Sequence, residues 1–186
     1  METIVLSGKK ELDIYMNPQR QNILRQMQIT GEPMTAKQIA DQVGISASSV
    51  QHHIRLLAEL GIVEQSHTAQ IHGITATYFR ALSKTVQIGS LTPDEHSNQR
   101  VALMQANLNG AFNRFVAYCA ANTAETIGDG QFGDLLSGIT HLQPNEAKDL
   151  YALITQFLQT HETASNGSSA WEYALLAYPV SVKTHA

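Results

Sequence analysis

Ser48, Gln51, His52 and Arg55 stand at three- and four-residue spacings in the segment Ser46 to Leu60. If that segment is helical, the four side chains project from one face. Each can address an edge of a nucleic-acid base. A Gln amide pairs bidentately with adenine, Ser and His donate or accept, and Arg reaches guanine or a phosphate. A plain solvated helix face has a similar composition, so the flanking elements decide what this row is for.

Those elements read clearly. Asn17 and Pro18 suit the cap and first position of a helix carrying Ile23, Leu24 and Met27 as its buried stripe. Gly31 and Pro33 interrupt it. Thr35 with Gln38 forms a capping box, Met34 and Ile39 are spaced as a hydrophobic staple, and Gly44 closes a short helix lined by Ile39, Ala40 and Val43. Ser46 caps the next helix, Ile45 and Val50 repeat the staple, and Val50, Ile54, Leu57, Ala58 and Leu60 form its apolar side up to Gly61. Two short helices joined by a tight turn make a helix-turn-helix, whose second helix enters the major groove with its N-terminal turns against the bases. Ala47, Ser48, Gln51 and His52 are then the expected base readers, Ser46 lies beside them, and Arg55 falls farther along, nearer a phosphate.

Ile62 to Gln65 and Ile74 to Arg80 are rich in β-branched and aromatic residues and predict two strands, with a polar tip from Ser66 to Gly73. Helix, helix, helix, hairpin is the order of a winged helix. The wing tip carries His67, Thr68, Gln70 and His72. Imidazoles titrate at about pH 6.5, so contacts made by His67 and His72 strengthen as pH falls from about 7.5 to about 6.

Residues 1–14 read as an N-terminal arm, helix or strand unassigned, and 83–91 as a linker. Thr92-Pro93-Asp94-Glu95 predicts a helix start, with the helix running to about Asn122. Gly128 to Gly138 reads as loop with a short strand. Pro144-Asn145-Glu146 opens a further helix burying Leu150, Leu153, Ile154, Phe157 and Leu158, a loop follows at Ser165 to Ser169, and Trp171 to Val180 alternates as a strand does. Phe112, Phe115, Tyr118, Phe157, Trp171, Tyr173 and Tyr178 are candidates for an apolar ligand pocket, for plain core, or for a dimer interface.

The 186 residues suffice for one generous domain or two small ones. The net charge of −4 divides unevenly. Residues 1–90 hold eight Lys/Arg against seven acids, and residues 91–186 hold four against nine, which is +1 and −5. The asymmetry suits a DNA-facing first half. Residues 1–4 give no basic n-region, and no apolar run nears the ~18 residues of a membrane span, so a cytoplasmic protein without membrane contact is expected. A glycine-rich phosphate loop, a nucleophile elbow and an acid/base pair are all missing from the sequence, which argues against an enzyme. The single cysteine, Cys119, excludes an internal disulfide and falls on the apolar stripe of the long helix, as a small buried hydrophobe.

Asn17-Pro18-Gln19-Arg20-Gln21-Asn22-Ile23-Leu24, the stretch Thr35 to Gly61, and Ile62-Val63-Glu64 together resemble the ArsR-type winged-helix transcriptional regulators. The most specific piece is Ser48-Ser49-Val50-Gln51-His52-His53-Ile54, set against the family's Ser-x-Val-Ser-His-His-Leu. The resemblance covers residues 15–82. It implies a homodimer that binds an inverted repeat in double-stranded DNA and usually represses transcription, with Ala47, Ser48, Gln51 and His52 at the base-contacting places. Gln51 replaces the commoner Ser, so the operator cannot be borrowed, and the wing carries His where many relatives carry Arg or Lys. The second half loosely resembles certain ArsR-type regulators in which a strand, a helix and a final strand follow the winged helix.

Metal-sensing relatives use a Cys-x-Cys pair on the recognition helix, or Asp-x-His with a later His pair. Here Asp94 and His96 form an Asp-x-His, but no His follows within that helix, and His141 and His161 could join only through tertiary structure. Zinc needs three or four convergent ligands. The expectation is therefore no metal and no cofactor.

The sequence thus predicts a mainly α chain with a small β wing: a winged helix-turn-helix at 15–82, followed at 92–186 by a mostly helical dimerisation region with room for a small-molecule effector. The expected DNA contacts are Ser46, Ala47, Ser48, Gln51, His52 and Arg55 on the helix, and His67, Gln70 and His72 on the wing. The competing classes are a winged-helix protein-interaction module and a metal- or thiol-responsive sensor.

Overall fold

A computed structural model describes residues 3–6, 8–82, 84–88, 94–122, 133–161 and 164–180. They divide into two compact units, residues 1–103 with 138–170, and residues 104–137 with 171–186.

The first unit is organised by its caps. Helix α2 (Pro18–Thr30) starts where the Asn17 side chain accepts from the backbone N–H of Gln19 at 3.0 Å and of Arg20 at 3.2 Å. Strand β2 (Met34–Thr35) leads into α3 (Ala36–Val43), and the box between Thr35 and Gln38 forms in both directions. Gly44 leaves α3 at φ +72°, a conformation that costs a side-chain-bearing residue energy and glycine little. Only Gly44, Ile45 and Ser46 separate α3 from α4 (Ala47–Glu59), and the Ser46 hydroxyl accepts from the Ser49 N–H at 3.2 Å.

The three helices close over one core. Ile23, Leu24 and Met27 of α2 meet Ile39 and Ala40 of α3 and Val50, Ile54 and Leu57 of α4, with Met34, Ile62 and Val63 beneath. Each fully buried Leu, Ile or Val adds about 1.5–3 kcal/mol over exposure. Ala58, expected in the α4 stripe, is exposed, and Leu60 is half-buried. The apolar seam is thus one turn narrower than the sequence suggests.

The wing is longer than expected. Strands β3 (Val63–Ile71) and β4 (Ile74–Ala81) pair antiparallel, and β2 adds to β4 through Met34↔Phe79 and Thr35↔Tyr78, giving the order β2-β4-β3. The polar stretch from Ser66 to Ile71 stays in the ladder, with a bulge between Gln65 and His67. The turn narrows to His72 and Gly73, both at positive φ (+48° and +79°), as a two-residue hairpin turn twisted with its strands requires.

Two expectations at the ends of this domain are corrected. The N-terminal arm contains strand β1 (Thr3–Val5) and helix α1 (Lys9–Met16), and it buries Leu6, Leu12 and Ile14. The linker holds a third element: β5 (Thr85–Gln87), which pairs in parallel with β1 from Thr3↔Thr85 to Val5↔Gln87. Three-residue strands carry too little periodicity to be read from sequence; pairing across more than 80 residues makes them.

Beyond the wing, α5 (Ser97–Ala121) ends as expected but begins later. Thr92 and Pro93 of the expected cap lie outside the described residues. Asp94 opens a turn instead, accepting from the His96 N–H at 2.9 Å, and its carboxylate takes the fork of Arg100. Helix α6 (Pro144–Thr160) has its proline at the first turn and a capping box from Gln143 to Glu146. The face expected to be buried is not: Leu150, Leu153 and Phe157 are exposed, and Ile154 and Leu158 are half-buried. At the end of the first unit Gly31 lies against Ala164, where a Cβ would come within 2.7 Å.

In the second unit Arg114 of α5 grips Glu172, with Nε to Oε2 at 2.9 Å and Nη2 to Oε1 at 2.6 Å. Trp171 to Val180, expected as a strand, has no regular structure, and its aromatic and aliphatic residues are exposed. Alternation makes a strand only where a second strand completes the ladder, and no described strand pairs with this segment. Of the stretch expected as loop with a short strand, residues 133–138 carry no strand, and residues 128–132 lie outside the described residues. Cys119, expected to be buried, is exposed. Among the described residues no helix is long and apolar enough to cross a membrane.

Candidate nucleic-acid interface

Helix α4 carries the chemistry singled out in the sequence. Val50, Ile54 and Leu57 anchor it to the core, and that anchoring turns Ser48, Gln51, His52 and Arg55 outward together, all exposed. Ala47 differs: it is half-buried and packs on the core, so it offers only part of its methyl group. Ser46 is committed to its cap, and its oxygen also lies 3.0 Å from the Ser48 hydroxyl and 2.8 Å from that of Ser49. This serine cluster arranges the first turn, where base edges are expected.

Arg55 Nη2 stands 3.2 Å from His52 Nδ1. A guanidinium only donates, so Nδ1 accepts and the ring proton sits on Nε2. His52 therefore presents a donor outward, suited to guanine N7 or O6 or thymine O4. Gln51 adds a donor and an acceptor beside it.

On the inner side of the same helix, half-buried His53 meets a residue from another element. Arg20 Nη1 lies 3.4 Å from His53 Nδ1, and the Arg20 guanidinium also donates to the backbone carbonyls of Ile14 and, at 3.0 Å, Asp13. Those carbonyls end α1, where a cation is favoured by the helix dipole. Burial pushes the His53 imidazole below its usual value, and the charges on Arg20 and His52 push it the same way. Sequence reading missed Arg20. The signal was there: Arg20 occupies the apolar stripe of α2, three and four positions before Ile23 and Leu24.

The wing candidates are exposed and make their contacts within the hairpin. His67 stacks on Tyr78 with ring centroids 4.4 Å apart and planes 10° off parallel, and Gln70 donates to the Thr75 hydroxyl at 2.8 Å. His67 and Gln70 are three apart in a strand, hence on opposite faces, so one flat surface cannot meet both. His72 occupies the turn itself.

Several cations of this half are already engaged. Lys10 pairs with Glu59, Lys37 with Asp41, and Arg80 with Glu64, while Arg20 is buried. The Asp-x-His is engaged too. Asp94 binds Arg100 at 2.5 and 2.6 Å, which holds its carboxyl down at about 2. His161 stacks on Phe157 of its own helix. The described residues include no cluster of three or more His, Cys, Asp or Glu placed to hold a metal. The aromatics considered for a pocket are exposed at Phe112, Tyr118, Trp171, Tyr173 and Tyr178 in the second unit, and at Phe157 in the first.

Comparison with known proteins agrees with this geometry over its central part. Residues 15–66 match the model of a helix-turn-helix domain family. Among solved structures, the chain is similar to a possible transcriptional regulator from Methanosarcina mazei Go1, at 14% identity and a TM-score of 0.34, over 58% of this chain and 80% of that one. It is also similar to the adhesin competence repressor of Streptococcus pyogenes, at 14% identity and a TM-score of 0.34, over 81% and 83%. Overlays this loose do not extend the reading of the site. No curated protein matches the chain.

Proposed function

We propose, from the helix-turn-helix domain matched at residues 15–66, that this chain is a sequence-specific DNA-binding transcriptional regulator of the ArsR type, cytoplasmic or nucleoid-bound. One observation carries the reading: an exposed row of Ser48, Gln51, His52 and Arg55 on a helix locked to the core by its opposite face. Gln51 and His52 read bases with Ser48 and the rim of Ala47 beside them, and Ser46 orders the turn. Arg55 reaches a phosphate, and His67, Gln70 and His72 supply wing contacts.

The regulator acts as a homodimer on an inverted repeat, each α4 entering a major groove about one helical turn from its mate. What supports dimerisation is the exposed apolar side of α5, with Leu108, Phe112 and Val116, and that of α6, with Leu150, Leu153 and Phe157. Apolar patches of this kind mark interfaces. Repression follows if the operator overlaps a promoter. A small-molecule effector would change affinity only as far as it distinguishes two dimer states.

A second reading is favoured by the paired cations: the polar face of α4 meets a protein partner. Incubating the purified chain with sheared genomic DNA of its source, at low salt and slightly acidic pH, and sequencing what it retains separates the two. An inverted repeat recovered reproducibly establishes the regulator. Retention of nothing moves the reading to the protein partner.

A further inference from the structure

The residue that links the recognition helix to the rest of the first unit is not on that helix. Asp13, near the end of α1, makes two contacts with different parts of its structure. Its backbone carbonyl accepts from Arg20 at 3.0 Å, and its carboxylate accepts from the Gln99 amide of α5 at 2.6 Å. Arg20 in turn reaches His53 on α4 at 3.4 Å. A continuous run of polar contacts therefore joins the first turn of α5 to the middle of α4 through the end of α1. Lys10, at the start of α1, pairs with Glu59 at the end of α4 at 3.4 Å, so α1 is fastened to α4 at two points. The pairing of β1 with β5 holds the preceding segment beside the strand that follows the wing.

We propose that Asp13 and Arg20 are positioning residues for the recognition helix, and that Gln99 makes that positioning depend on the first turn of α5. Buried Arg20 cannot shift alone, because its guanidinium is shared by two α1 carbonyls and His53. A displacement of α5 at Gln99 pulls on Asp13, moves the carbonyls that Arg20 holds, and changes how His53 seats α4. That the seated helix reads DNA rests on the function proposed above; the linkage itself does not.

The Gln99–Asp13 contact can be broken without touching the buried residues. Gln99→Glu sets two carboxylates against each other, and adding Asp13→Asn reverses donor and acceptor and restores the bond. Two readouts are taken on the full chain: the His53 ring-proton resonances, and affinity for the DNA it selects. Gln99→Glu is expected to move the His53 resonances and weaken binding about fivefold, the low end of ordinary coupling between sites. The Asp13→Asn/Gln99→Glu pair returns both to within about twofold of the parent, inside the spread of ordinary coupling. Unmoved His53 resonances in Gln99→Glu overturn the linkage, as does a double variant no better than the single. Movement and rescue of His53 in a chain that binds no DNA keeps the linkage and removes the DNA reading.

Discussion

Arg20 of α2 and His53 of α4 meet at 3.4 Å, the arginine buried and the histidine half-buried, with the arginine donating. An acceptor at Nδ1 requires a neutral ring, and burial and the two neighbouring cations hold it so. In the unfolded chain a histidine titrates at about pH 6.5. Below that value the unfolded state takes up a proton that the folded state resists. The His53 contribution is therefore complete above about pH 6.5 and is lost as pH falls through the lower folded value. Urea midpoints of the parent should drop between about pH 7.5 and 5.5, and those of His53→Gln should drop less, since an amide oxygen can still accept from Arg20. Equal slopes in the two proteins would show that His53 is not the group responsible.

Gln51 projects from the exposed face with both amide functions available to a base edge. Gln51→Ala should cost about 1–3 kcal/mol on the preferred site and relax sequence choice there. Folding is untouched, so the melting temperature serves as the control. Unchanged affinity on that site would refute Gln51 as a base reader.

Arg55 reaches a phosphate in the proposed complex, while Lys10, Lys37 and Arg80 are held in ion pairs. The dependence of log K on log salt should accordingly be shallow, and Arg55→Ala should lower its slope by about 1. Fluorescence anisotropy across a salt series measures it. A slope identical in parent and variant would place Arg55 away from the backbone.

His67 and His72 are exposed on the wing. Imidazoles gain charge between about pH 7.5 and 6, so DNA binding should tighten over that range, at constant ionic strength. His67→Gln/His72→Gln should abolish the tightening. The folded state must be checked by circular dichroism at each pH, because loss of His53 seating opposes the gain. A parent whose affinity ignores pH excludes the wing from the contact.

Gly44 sits at φ +72°, and nothing lies within 4 Å of the place a Cβ would take. Gly44→Ala therefore carries only the backbone cost of the left-handed conformation, about 1–2 kcal/mol, with Gly44→Asn costing less. Denaturant unfolding gives the number. A cost well above this range would mean the turn between α3 and α4 rearranges.

Much of the first unit was legible because its signals are local. Asn17, Thr35, Ser46 and Gly44 act on backbone groups within four residues of themselves, and the outward row on α4 follows from helical periodicity alone. The sequence by itself thus determined the helix-turn-helix, the wing and the candidate reading residues. Tertiary structure decided whatever depends on distant partners. Arg20 could be recognised as a bridge only once α1, α2 and α4 were packed together. Asp13 and Gln99 are separated by 86 residues in the chain. Residues 85–87 became a strand because β1 arrived beside them, and Trp171 to Val180 did not because no described strand did. A cap carries its partner in its own neighbourhood, whereas a ladder or a buried charge is satisfied only by what folding brings to it.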